Sequence, residues 1–158
     1  MAGASGAAFE AFRAALLAVC RELARQIARD GEGATKLVTV AVRGARSAGE
    51  ARTAARAVAE SLLLKTALFG CDPNWGRILS AIGMSRAKLD PARARVEVGG
   101  VAVYDRHPLA FDHDKARRAM AARDLDLVVD LRLGRGEAEV FTCDLSYDYV
   151  KINAEYHT

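Results

Sequence analysis

The stretch from Leu64 to Leu79 constrains the fold more than any other. It ends one strongly patterned helix and makes a polar turn, where Pro73 lacks the backbone N–H needed to continue that helix. Asp72 and Asn74 both carry side-chain oxygens able to cap a new helix. That helix opens on Trp75, the only tryptophan, and runs to Met84. Two amphipathic helices joined by so short a polar turn must lay their apolar sides on a common layer, which the rest of the chain has to supply.

The flanking patterns supply it. Leu37-Val38-Thr39-Val40-Ala41-Val42-Arg43 is a β-branched run that reads as a strand. Ser47-Ala48-Gly49-Glu50 has the capping-box spacing, in which Ser47 accepts from the third helical amide and Glu50 reaches back to the cap's own amide. Behind it Ala51, Ala54, Ala55, Val58, Ala59, Leu62 and Leu63 share one helical face, and its many alanines imply close approach to another element. Ala94 to Val98 and Val101 to Tyr104 flank Gly99-Gly100, a two-residue hairpin signal, because primed turns require positive φ. Asp112 or Asp114 can cap a helix running to about Ala122. Leu125, Leu127, Val129, Leu131 and Leu133 alternate with Asp126, Asp130 and Arg132, the period of a half-buried strand. Gly134-Arg135-Gly136 then turns it into a partner running from Glu137 to about Leu145.

At the other end, Phe9, Phe12, Leu16, Val19, Cys20, Leu23 and Ile27 recur at three- and four-residue steps between Ala7 and Arg29. That spacing predicts a helix with one buried stripe, ended by Asp30-Gly31. With no internal repeat or linker, residues 1–158 read as a single α+β domain, a mainly antiparallel sheet with helices packed on it.

Charge and composition exclude several function classes. The 23 basic residues are interspersed with 20 acidic ones, and aromatics make up 6%, so no nucleic-acid surface is indicated. Arg and Glu interrupt every apolar helical stretch, so none reads as a membrane span. Met1 to Gly6 has no basic region leading into an apolar one, hence no secretory signal is visible. Cys20, Cys71 and Cys143 are odd in number and lack paired spacing. They predict small buried thiols in a reducing, cytoplasmic setting.

Few residues suggest chemistry by pattern alone. Asp30-Gly31-Glu32-Gly33-Ala34-Thr35-Lys36 has the glycines of a phosphate cradle, but it follows a helix and opens a strand, whereas a P-loop needs Lys directly after its second glycine at a helix start. Turn glycines explain Gly31 and Gly33. They leave Glu32 over, a carboxylate that can meet a substrate ammonium group. Thr35 invites comparison with N-terminal threonine nucleophiles, yet it lies inside the chain, leading into a strand. His107, Asp112, His113 and Asp114 lack metal-ligand spacing and read as a solvated helix start, so no metal and no cofactor is expected.

Taken in order, several stretches resemble one family, the ornithine acetyltransferase/glutamate N-acetyltransferase of arginine biosynthesis. They are Asp30 to Lys36, then Lys65-Thr66-Ala67 with Gly70, Asp72 and Asn74 to Ile78. They continue through Pro108, Phe111 and Asp112 to Asp144-Leu145-Ser146 and Tyr149 to Tyr156. The order and spacing fit from about residue 7 onward. The resemblance implies a layered acyltransferase fold like those of N-terminal-nucleophile enzymes, made from a precursor that cuts itself before a threonine into α and β chains. Acetyl would pass from N-acetylornithine to that threonine and on to glutamate, releasing ornithine, with acetyl-CoA as a possible further substrate. This chain resembles the later part of the β chain.

The nucleophile and the oxyanion donors would therefore lie upstream of Met1 or on the α chain, leaving no catalytic residue here. An α2β2 heterotetramer is implied. By the same resemblance Glu32, Asn153 and Thr158 would be substrate contacts. Asn153 offers both a donor and an acceptor, and Thr158 a hydroxyl. The alternative is a non-catalytic binding or interaction domain from a truncated or diverged relative, its tail docked only for stability.

Overall fold

The computed structural model describes residues 5–155. In chain order the elements are α1 (Ala7–Arg29), β1 (Leu37–Ala45), α2 (Ala48–Glu60), α3 (Leu62–Phe69), α4 (Trp75–Gly83), β2 (Arg95–Val98), β3 (Val101–Asp105), α5 (His113–Met120), β4 (Asp124–Asp130), β5 (Gly136–Cys143) and α6 (Tyr147–Glu155). The five strands form one sheet in the order β3-β2-β4-β1-β5. Only β1 and β4 run parallel, and the other three pairings are antiparallel. The architecture is thus the mixed, mainly antiparallel α+β arrangement that the patterning implies.

Strand alternation divides the sheet into two faces. Val38, Val40 and Val42 of β1, Leu125, Leu127 and Val129 of β4, and Val96 and Val98 of β2 point into one core with α2, α3, α4 and α5. On α2, Ala51, Ala54, Ala55 and Val58 are fully buried, and their lack of bulk lets the helix axis approach the strands closely. Trp75 packs its ring 5.0 Å from that of Tyr104, linking the start of α4 to β3. Gly99 and Gly100 close the β2–β3 hairpin with φ of 56° and 75°. No helix among the described residues is long and apolar enough to cross a membrane.

Several expectations are corrected. The alternating segment and its glycine turn do not make a hairpin, because β1 lies between β4 and β5. Strand β4 stops at Asp130, and the following residues cross the end of β1, with the amides of Leu133 and Gly134 both donating to the Gly44 carbonyl at 2.6 and 2.8 Å. A Cβ at Gly134 would sit 2.5 Å from the Ala45 carbonyl oxygen, so this crossing requires glycine. The helical face drawn from Ala51 to Leu63 is interrupted at Ser61, which ends α2 and caps α3 through the Leu64 amide. Leu62 and Leu63 consequently point outward, 67% and 68% exposed.

Ser47 accepts from the Glu50 amide as expected, whereas Glu50 reaches the amides of Arg46 and Lys88 rather than that of Ser47. The cap of α5 is Asp112, and that helix ends at Met120 rather than near Ala122.

The largest departure is α1. It forms over the expected residues but buries none of them. Phe12, Leu16, Val19, Leu23 and Ile27 are 49–75% exposed. Polar contacts hold the helix to the second sheet face: Arg21 pairs with Glu139, Arg21 and Arg25 lie over the Phe141 ring, and Arg29 pairs with Asp124. The thiols differ too. All three cysteines are free, but Cys20 is exposed and Cys71 and Cys143 are only half-buried.

Candidate functional site

The antiparallel register of β1 and β5 sets Leu37 opposite Cys143, so the residues just before β1 face those just after β5. There Asp144, 2% exposed, uses both carboxylate oxygens. One accepts the Thr35 and Lys36 amides at 2.8 and 3.0 Å, and the other accepts the Thr35 hydroxyl at 2.5 Å. Thr35 is thereby a structural hydroxyl at the entry to β1. Two residues on, Ser146 donates from Oγ to the Gly33 carbonyl at 2.5 Å and accepts the Tyr149 amide at 3.4 Å, in the first turn of α6. Gly33 has φ 66°, and a Cβ there would stand 2.5 Å from the Tyr149 nitrogen. The glycine of this loop serves contact with the C-terminal helix, not with phosphate.

These contacts bring together two residues 121 positions apart. Asn153 Nδ2 donates to Glu32 Oε2 at 2.9 Å and to the Tyr149 carbonyl at 2.9 Å. Both side chains are exposed, and no Lys or Arg among the described residues pairs with Glu32. A carboxylate with an amide beside it, open to solvent and lacking a cation, suits an ammonium-bearing ligand. The tail that carries Asn153 is helical, and no residue of α6 is buried. Thr158 lies outside the described residues.

The junction after α3 closes the same corner. Lys36, 6% exposed, donates from Nζ to the Leu68 and Phe69 carbonyls at 2.5 and 3.3 Å and lies 3.2 Å from Cys71 Sγ. A buried ammonium here satisfies carbonyls at a helix C-terminus and matches its dipole. Phe69 meets Tyr147 edge-on, with centroids 5.4 Å apart, and the Leu145 amide donates to the Lys65 carbonyl at 3.1 Å. Next along, Asn74 caps α4 through the Arg77 amide, while Arg77 reaches back to the Leu63 carbonyl at 2.5 Å and Thr66 Oγ1 at 3.2 Å. Asn74 and Arg77 are thus occupied structurally.

Pattern alone does not single out Asp144, Ser146 or Lys36. The usable signals are a Ser directly before a helical segment and two charged residues abutting strand ends, each weak without knowledge of register.

The other candidates separate from this corner. His113 stacks on Phe111 at 4.3 Å, Asp112 serves the α5 cap, and no cluster of metal-ligating groups occurs among the described residues. Bonding to the Lys115 amide holds the Asp112 carboxyl below its usual range, consistent with that capping role. A groove of about 920 Å³ follows the free side of β5 between α1 and α2, lined by Leu17, Ala24, Arg52, Arg56 and Phe141 among others. A smaller one of about 370 Å³ reaches Gly31 at the base of the loop.

Comparisons with known proteins bear on all 158 residues, over which the model of the ArgJ family matches. The chain is 54% identical over 149 residues to the arginine biosynthesis bifunctional protein ArgJ of Thermus thermophilus. It is 50% identical over 151 residues to the glutamate N-acetyltransferase of Methanopyrus kandleri. These alignments take in 94% and 93% of this chain and 39% of each relative, so the chain spans about two-fifths of their length. A crystal structure of the arginine biosynthesis bifunctional protein argJ from Bacillus halodurans superposes with TM-score 0.94 at 39% identity, covering 98% of this chain and 73% of that one. On the match across its whole length and the shared fold, the chain belongs to the ArgJ family.

Proposed function

We propose that this chain is the substrate-facing, C-terminal part of an arginine-biosynthesis acetyltransferase of the cytoplasm, which moves acetyl from N-acetylornithine to glutamate. The observation that carries this reading is the Glu32–Asn153 hydrogen bond at 2.9 Å. Two residues that the resemblance names as substrate contacts meet although most of the chain separates them. In this reading Glu32 receives an ammonium group of the substrate and Asn153 fixes the carboxylate's orientation, while Thr158 adds a third contact. A threonine nucleophile from the preceding part of the β chain attacks the acetyl carbonyl, releases ornithine, and passes the acetyl to glutamate. Acetyl-CoA is a second candidate donor.

The partners are then the α chain and the start of the β chain, assembled as α2β2. The unpartnered apolar face of α1 and the free side of β5 support a large covering surface of this kind. The test is complementation: the chain is mixed with the missing segments of the Thermus relative and assayed for acetyl transfer from N-acetylornithine to glutamate. The expected result is no activity alone, activity on association, and its loss with Glu32→Ala. Failure to associate and to transfer would refute it. A second reading, a binding domain without catalysis, draws on the pair being already formed in this chain. Ornithine binding by calorimetry without transfer after complementation would favour it.

A further inference from the structure

We propose that Asp144 and Ser146 are positioning residues that set the separation of Glu32 and Asn153. The proposal rests on reading those two as substrate contacts. The observations that carry it are mechanical. Helix α6 buries no residue, and apart from the edge-on contact of Tyr147 with Phe69 and the close approach of Gly33 to Tyr149 its place is set where it joins β5. Asp144 sits at that joint and accepts three hydrogen bonds from Thr35 and Lys36, across the point where β1 begins.

In effect its carboxylate extends the β1–β5 ladder by one rung beyond Leu37 and Cys143. Ser146 adds a second tie closer to Glu32, joining the Gly33 carbonyl to the first turn of α6. The loop bearing Glu32 and the helix bearing Asn153 are thus fastened at two points, independently of the distal hydrogen bond. A site whose reacting geometry tolerates little drift depends on such supports.

The test uses the 158-residue chain. The side-chain amide of Asn153 is followed by NMR, and its response to Glu32→Gln reports whether the two residues are coupled. L-Ornithine titration by calorimetry is the second readout. Asp144→Ala removes all three acceptor contacts. Asp144→Asn keeps one oxygen for the two amides and turns an NH2 toward the Thr35 hydroxyl, which can accept from it. The expected result is loss of Asn153–Glu32 coupling in Asp144→Ala, with ornithine affinity weakened by on the order of tenfold to a hundredfold. Asp144→Asn should retain coupling.

A purely structural Asp144 would lower the melting temperature but leave coupling intact in the folded molecules, and that outcome overturns the proposal. So does an absence of coupling in the unaltered chain. Should Asp144→Ala fail to fold, the milder Ser146→Ala decides: retained coupling overturns the proposal, lost coupling supports it. If the unaltered chain shows coupling but binds no ornithine, the substrate reading fails while the positioning role stands.

Discussion

Replacing Gly33 by alanine should detach α6 without unfolding the domain, and Gly100→Ala provides the control that makes this measurable. Both glycines are left-handed, with φ of 66° and 75°. An alanine in that conformation costs about 1–2 kcal/mol wherever it occurs. At Gly100 nothing else changes, because a Cβ would have no heavy atom within 4 Å. At Gly33 the added Cβ would stand 2.5 Å from the Tyr149 nitrogen and 2.9 Å from the Asp148 carbonyl carbon, both backbone atoms that no rotamer change can move. Restoring ordinary contact at 3.4 Å requires a displacement of 0.9 Å, the difference between 3.4 and 2.5 Å.

Which side yields follows from burial. The loop is anchored by buried Asp144, whereas α6 buries nothing. The helix should therefore move, carrying Asn153 out of reach of Glu32. Urea unfolding should give losses within about 1 kcal/mol of each other for the two variants. Hydrogen exchange should diverge, with the amides from Val150 to Asn153 losing protection in Gly33→Ala alone. Equal protection in both variants would refute the reasoning. So would a Gly33→Ala loss beyond about 4 kcal/mol, because the clash would then be propagating into the core.

Three further outcomes are expected. Lys36→Met removes the ammonium that satisfies the Leu68 and Phe69 carbonyls, and should cost about 1–3 kcal/mol in urea unfolding; a neutral result would mean that water replaces it. The Glu50 carboxyl is held down to about 2 from 4.5, chiefly by hydrogen bonds from the Arg46 side chain and next from the Lys88 amide. A pKa lowered by folding stabilises the native state above the unfolded value, and that contribution is lost as pH falls from about 4.5 towards 2. Glu50→Gln should accordingly flatten the acid limb of melting temperature against pH, and an unchanged limb would exclude this site as its source. Finally, the exposed stripe on α1 should drive concentration-dependent association in sedimentation, relieved by Leu16→Lys with Leu23→Lys; a chain that stays monomeric at high concentration would count against it.

How far the sequence carries depends on the range of the interaction concerned. Local rules succeeded: Ser47, Asn74 and Asp112 each cap the helix they precede, and Gly99-Gly100 makes the turn their positive φ allows. Periodicity found the strands and most helical faces, because it reports which side of an element is apolar. It carries no information about what covers that side. The stripe on α1 has the right spacing and is nonetheless bare among the described residues.

Strand order was invisible for a related reason. Leu125 to Leu133 and Glu137 to Leu145 look like a hairpin until one knows that β1, far earlier in the chain, can pair with both through its N–H and C=O groups on either side. The site shows the same limit most sharply. Glu32 and Asn153 emerged from a resemblance spanning the ordered set of motifs. Asp144, which holds their supports together, looks like any acid at a strand end. Its burial has meaning only once Thr35 and Lys36 stand opposite it, 109 and 108 residues away in the chain. Motif matching takes in Asp144 and Ser146 as readily as Glu32 and Asn153, but what each of them holds is set by register and has to be read from the fold.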